Sequence, residues 1–130
     1  MHPLWPGLTA YADWALLALR LMVAAVFLTS GWSHVRDPAG RSRSIGASPR
    51  FTLLLGVAEI AGALGVAFGV WIQVAALGLI LVMLGAIRKK IFVWKTGFWG
   101  EKSSGWHYDL MLVLMNLVIA TTGGGRFVLL

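Results

Sequence analysis

FTLLLGVAEIAGALGVAFGV, residues 51 to 70, contains a single ionisable side chain, Glu59. About 20 apolar residues are needed to cross the hydrocarbon of a bilayer as a helix. The run shows none of the period-two alternation of a barrel strand, and in lipid a span that is not part of a closed barrel must satisfy its backbone as a helix. Three further runs have the same character. The expected spans are about residues 14–34, 51–70, 71–87 and 108–122. The second and third are separated by almost nothing and predict a tight antiparallel hairpin around Gly69.

Composition agrees with a lipid solvent. Of 130 residues, 58% are apolar and 12% charged, whereas about a quarter of a soluble chain is charged. A water-soluble fold of this length would lack the polar surface to cover its core. The expected fold is therefore all-α: one integral membrane domain, a four-transmembrane-helix bundle running up and down. Cysteine is absent, which excludes disulfides, thiolate metal sites and covalently attached c-type haem.

The basic residues orient the bundle. Arg36, Arg41, Arg43 and Arg50 lie between the first two spans, and Arg88, Lys89, Lys90, Lys95 and Lys102 between the last two. The excess of Lys and Arg on cytoplasmic loops puts both connections inside and both termini on the non-cytoplasmic side. The net charge of +6 then points to anionic lipids rather than nucleic acid, for which no extramembrane domain remains. MHPLWPGLTAYADW has no basic leader and is followed by a run long enough to span, so a cleaved signal peptide is not expected. Trp14, Trp32, Trp71, Trp94, Trp99 and Trp106 fall at span ends or in the connections, as in an aromatic belt. The stretch from about 91 to 106 reads as an interfacial segment, with Trp94, Trp99 and Trp106 as contacts to headgroups or a partner.

Small residues recur in the second span as Ala61, Gly65 and Gly69, with Ala58 and Gly62 beside them. Ladders of this spacing let helix backbones approach closely where lipid supplies no hydrophobic drive.

Three polar residues lie inside the spans. Glu59 sits about 12 Å in from the cytoplasmic edge, Asn116 at about the same depth, and Arg20 about 9 Å below the outer edge. A charge near the bilayer centre costs about 2.5–3.5 kcal/mol on insertion scales. Arg20 has a stem long enough to reach the headgroups; Glu59 does not, so it must be protonated, hydrogen-bonded or paired. An Arg20–Glu59 ion pair is the first expectation and Asn116 the second partner for Glu59. All three are candidates for a ligand or proton site, with polar contact between helices as the plainer reading. His2 is terminal. His34 and His107 lie at the cytoplasmic ends of spans one and four, as interfacial anchors or, more sharply, as metal or haem ligands; no metal site is expected overall.

The chain resembles a DoxX-type membrane protein. The first span supplies Arg20, Leu21, Phe27, Leu28, Gly31 and His34, the last standing where lysine is more usual. The second supplies Glu59 followed by Gly62, Gly65 and Gly69, and the last Asp109 with Gly123, Gly125 and Arg126. The resemblance implies a four-helix membrane bundle in the inner (cytoplasmic) membrane. It also implies a role as a small subunit of a membrane oxidoreductase, of which a thiosulfate:quinone oxidoreductase is one example. The leading expectation is thus a non-catalytic accessory subunit that stabilises a redox-linked complex with other membrane subunits and shapes a quinone pocket. The alternatives are a quinone-reactive subunit using Glu59 as its proton site, and a transporter or lipid-binding protein. No covalent cofactor is expected; quinone or lipid is the bound group implied.

Overall fold

A computed structural model describes residues 4–100 and 105–129. His2, Lys102 and part of the expected interfacial segment lie outside the described residues. A short turn, α1 (Pro6–Thr9), precedes α2 (Ala12–Arg36), α3 (Pro38–Ile45), α4 (Pro49–Phe68) and α5 (Ile72–Arg88). A π-helical turn (Lys89–Val93) continues α5, and α6 (Trp106–Thr122) follows. The described residues contain no strand. Two helices, α2 and α4, are long and apolar enough to cross a membrane by length and composition; α5 and α6 have 17 residues each.

Local chemistry sets the ends. The Ser48 hydroxyl accepts the Phe51 N–H at 3.2 Å and Pro49 opens the first turn of α4, which relieves one orphan donor and suits the fixed φ of proline. Gly69 closes the helix at φ 70°, with the Val70 N–H returning to the Gly65 carbonyl. This left-handed cap favours a residue without Cβ. Trp71 follows at φ 47°, so the α4–α5 hairpin turns within three residues.

The basic connection between α2 and α4 is not the loop its charge suggests. Asp37 accepts the Gly40 N–H, Pro38 starts a helix, and Gly46 ends it at φ 71°. From the end of α5, Lys89 donates to the Ile45 and Gly46 carbonyls at 2.7 and 3.1 Å. A cation on these last carbonyls is favourable. The result is α3, a helix pinned at both ends, which carries Arg41 back toward α2.

The long helices pack α2 on α4, α4 on α5 and α5 on α6, with α6 also meeting α2. Each buries a narrow stripe at spacings of three and four: Arg20, Val23, Phe27, Gly31 and His34 on α2; Thr52, Gly56, Glu59, Ala63 and Val66 on α4; Ile72, Ala76, Leu79 and Met83 on α5; Asp109, Leu112, Asn116 and Ile119 on α6. That spacing is the seam of helices packed side by side. Outside it, Leu54, Val57, Val74, Leu81 and Leu114 are all more than half exposed. An apolar surface of this extent is a surface for lipid or another protein. Arg20, His34, Thr52, Glu59, Asp109 and Asn116 lie inward, the reverse of the pattern of a soluble bundle.

The closest approach is between Gly31 and Gly56. A Cβ on Gly31 would meet the Gly56 carbonyl at 2.8 Å, and one on Gly56 would meet the Gly31 carbonyl at 2.8 Å. On the other side of α4, Gly62 and Gly65 lie against Leu79 and Ala75 of α5, and Gly69 against Val128. The ladder read from the sequence breaks at Ala61 and Ala58, both exposed: the seam alternates steps of four and three, so a strict step of four drifts off it.

Candidate functional site

The Gly31–Gly56 contact fixes the register of α2 and α4. It places Glu59 beside Ser30 and His34, one turn further along the seam, and places Arg20 level with Val66. The expected Arg20–Glu59 pair is therefore not formed, because the two belong to different levels of the seam.

Arg20 is fully buried. Its Nε donates to the Val66 carbonyl at 2.8 Å and its Nη2 to that of Ala67 at 3.0 Å. Its Nη1 donates to Phe127 at 2.6 Å and Gly124 at 3.2 Å. The first two acceptors are carbonyls in the last turn of α4, which have no partner within the helix. The other two belong to the tail after α6. Arg126 completes the attachment: its N–H donates to Asp13 at 3.1 Å, and its guanidinium lies 3.8 Å from the same carboxylate. The Leu129 N–H donates to the Gly69 carbonyl at 3.1 Å. With four of its five N–H groups engaged, Arg20 ties the end of α4 to the tail and has little capacity left for a ligand.

Asn116 is also fully buried, and it does not reach Glu59. Its Nδ2 donates to the Leu112 carbonyl one turn back at 2.9 Å, and its Oδ1 has no partner among the described residues. It sits on α6, behind the α2–α4 contact that holds the carboxylate.

Glu59, 2% exposed, meets two side chains of α2. The Ser30 hydroxyl lies 3.3 and 3.2 Å from its two oxygens, and His34 Nε2 lies 3.5 Å from Oε2. These contacts are long for hydrogen bonds. His34 is itself buried, and the Arg41 Nε of α3 donates to its Nδ1 at 3.3 Å. Arginine has no acceptor, so Nδ1 is the accepting nitrogen and the ring proton is on Nε2, toward Glu59. The four side chains form one series, Arg41–His34–Glu59–Ser30. His34, at the end of α2, is a partner of Glu59.

Beside this series is an open cleft of about 520 Å³, lined by Ala25, Val26, Thr29, Ser30, Ser33, Arg41 and Tyr108. Ser30 and Arg41 belong to both, so they join the buried carboxylate to the cleft. A second cleft of about 540 Å³ at the opposite end is lined by Trp71, Ile72, Gln73, Val74, Thr121, Thr122, Gly123 and Val128 and has no ionisable side chain.

The remaining sequence candidates have other surroundings. The imidazole Nδ1 of His107 lies 2.7 Å from the Phe98 carbonyl, in an aromatic cluster in which Phe98 meets Trp99 and Trp106 edge-on. Trp94 and Trp99 are exposed, at 43% and 73%. Among the described residues no three His, Asp or Glu side chains are grouped to hold a metal. Asp109, at the start of α6, pairs with Lys90 at 2.8 Å. Of the groups at the site, Ser30 and Arg41 gave no warning in the sequence. Ser30 lies in an apolar run where a hydroxyl most often bonds its own helix, and Arg41 lies in a segment with the composition of a loop.

Comparison with known proteins points one way. The DoxX family model matches residues 15–95, from α2 through the π-helical turn. An uncharacterized membrane protein of Mycobacterium tuberculosis (strain ATCC 25618 / H37Rv), Rv3486, is 32% identical over 140 aligned residues, covering 96% of this chain and 85% of that protein. No solved structure matches the chain.

Proposed function

The chain belongs to the DoxX family of membrane proteins, and from that premise we propose that it is a four-span subunit of a larger, redox-linked complex of the inner membrane, with Glu59 as its proton site beside a quinone head group. All four long helices cross the bilayer. The 17 residues of α5 and of α6 reach about 25 Å, close to the hydrocarbon thickness. Arg41 and Arg43 of α3 and Arg88, Lys89 and Lys90 at the end of α5 cluster on the side that retains positive charge, which puts both termini outside.

One observation carries the assignment: a buried carboxylate joined through Ser30 to a cleft that also displays a guanidinium. An ionisable group inside a membrane bundle is a functional candidate by default. The lining suits a flat ring with oxygens at its rim. Ala25 and Val26 offer apolar surface, and Arg41, Ser30 and the Tyr108 hydroxyl offer donors to ring oxygens. When bound, a quinone supplies the electron-accepting chemistry. The chain's residues bind and orient the ring, and Glu59 holds the proton within reach of Ser30. Electrons come from a partner subunit, for which the exposed Phe92, Trp94 and Trp99 are the contact surface.

The test is Glu59→Gln in the native complex, which keeps the shape and removes titration. Quinone-dependent turnover is lost while the complex still assembles; unchanged turnover eliminates the proton-site reading. Purification in mild detergent tests the rest, since a stable solitary monomer without partner proteins would contradict a subunit role.

A further inference from the structure

We infer that His34 is the proton relay of this site and that Arg41 is its gate, so that protons reach Glu59 from the basic face of the bundle through one imidazole. The inference rests on the reading of Glu59 as a proton site and names its supply route.

The geometry is directional. His34 lies between the carboxylate and the polar end of α2, with one ring nitrogen on each side: Nε2 at 3.5 Å from Glu59 and Nδ1 at 3.3 Å from Arg41. Arg41 is half-buried on α3, next to exposed Arg43. The other groups facing the pair are few. Ser30 on α2 is a hydroxyl, Tyr108 on α6 lines the shared cleft, Asp109 is occupied by Lys90, and the stripe of α5 is apolar. His34 is thus the titratable group that bridges Glu59 to the basic face.

The step balances with a proton from water alone. While the Arg41 Nε–H points at Nδ1, that nitrogen cannot take a proton, and the ring stays neutral with its hydrogen toward Glu59. When Arg41 turns into the cleft it lines, a hydrated proton from bulk water protonates Nδ1 and leaves neutral water behind. The Nε2 proton then passes to the Glu59 carboxylate, leaving a neutral ring protonated on Nδ1; loss of that proton to water and return of one to Nε2 restores the first tautomer. Arg41 keeps its charge throughout. The 3.5 Å gap must shorten during transfer, as such contacts commonly do in a working complex. A cleft occupant that attracts the guanidinium opens the gate, so occupancy and proton delivery are coupled.

The experiment is hydrogen–deuterium exchange at the Glu59 carboxyl, followed by its infrared band in the full chain in nanodiscs, without quinone. The Glu59→Gln variant identifies the band. In His34→Gln exchange slows by about a hundredfold, the low end for a lost proton-transfer group. In His34→Ala it slows equally and recovers on adding imidazole. Arg41→Gln, which removes the gate, speeds exchange. Unslowed exchange in a folded His34→Gln protein, or failure of imidazole to restore the Ala variant, overturns the relay. Slower exchange in Arg41→Gln overturns the gate. Because no quinone is present, loss of this result is distinct from loss of quinone-dependent turnover.

Discussion

Arg20 and Glu59 face each other across the same α2–α4 seam, about two turns apart, and their surroundings differ in kind. Around Arg20 the acceptors are backbone carbonyls of α4 and of the tail, fixed in place by the helix end and the chain itself. Around Glu59 the partners are side chains at longer range, two of which also line an open cleft. The first arrangement is saturated and rigid, and the second has capacity to spare. Two ionisable side chains of one bundle thus have different surroundings: one is saturated by backbone acceptors, and the other keeps side-chain partners beside a cleft. Charge and depth alone do not distinguish them; the partners do.

Substitutions can break this contrast. The largest effect is expected for Arg20→Met, which keeps bulk but leaves buried carbonyls without donors. The loss is at least about 3 kcal/mol, since charged hydrogen bonds contribute about 1.5–3 kcal/mol each. It is read as a collapse of the thermal unfolding midpoint in detergent; a midpoint within a degree or two of wild type would contradict the structural role. Next comes Gly56→Leu, whose side chain would meet the Gly31 carbonyl and His34 Cβ at 2.8 Å before its own branches are counted. Overpacking of this kind costs about 1–3 kcal/mol. It should also move Glu59 off Ser30, so stability and the carboxyl band change together. If only stability changed, the register would not be what sets the site.

Glu59→Gln is expected to change stability by less than about 1 kcal/mol, because the Ser30 and His34 contacts it alters are long and therefore weak, while turnover of the complex is lost. A large destabilisation with turnover intact would reverse the roles of the two ends. The smallest effect belongs to Asp13→Asn. The Asp13–Arg126 contact is largely exposed, at 37% and 70% of the side chains, and such pairs contribute about 0–1 kcal/mol. The backbone N–H of Arg126 keeps an acceptor in the amide, so a midpoint shift of more than a few degrees would show that the tail depends on this charge rather than on Arg20.

The helical class was legible because apolar runs of span length read the same way whatever surrounds them, and the need to shelter Glu59 followed from its short stem. Which residue shelters it was not legible. That depends on the register of α2 against α4, set by Gly31 meeting Gly56; the resemblance marks Gly31 but gives it no partner, and Gly56 does not stand out among the 16 glycines of the chain. Arg41 was hidden for another reason. Pro38 and Gly46 bracket a helix in a segment whose arginines read as a solvated loop, and Lys89, more than forty residues away, completes its cap. Ala61 shows the opposite error: a regular step of small residues looked like a contact face, but the helix turns it outward.

The four carbonyls around Arg20 also bear on how the protein is made. Two lie in α4 and two at residues 124 and 127, so α2 is synthesised well before the groups that satisfy its guanidinium. In the order of synthesis, the full set of acceptors for this guanidinium exists only once residue 127 has been made and folded back beside α4.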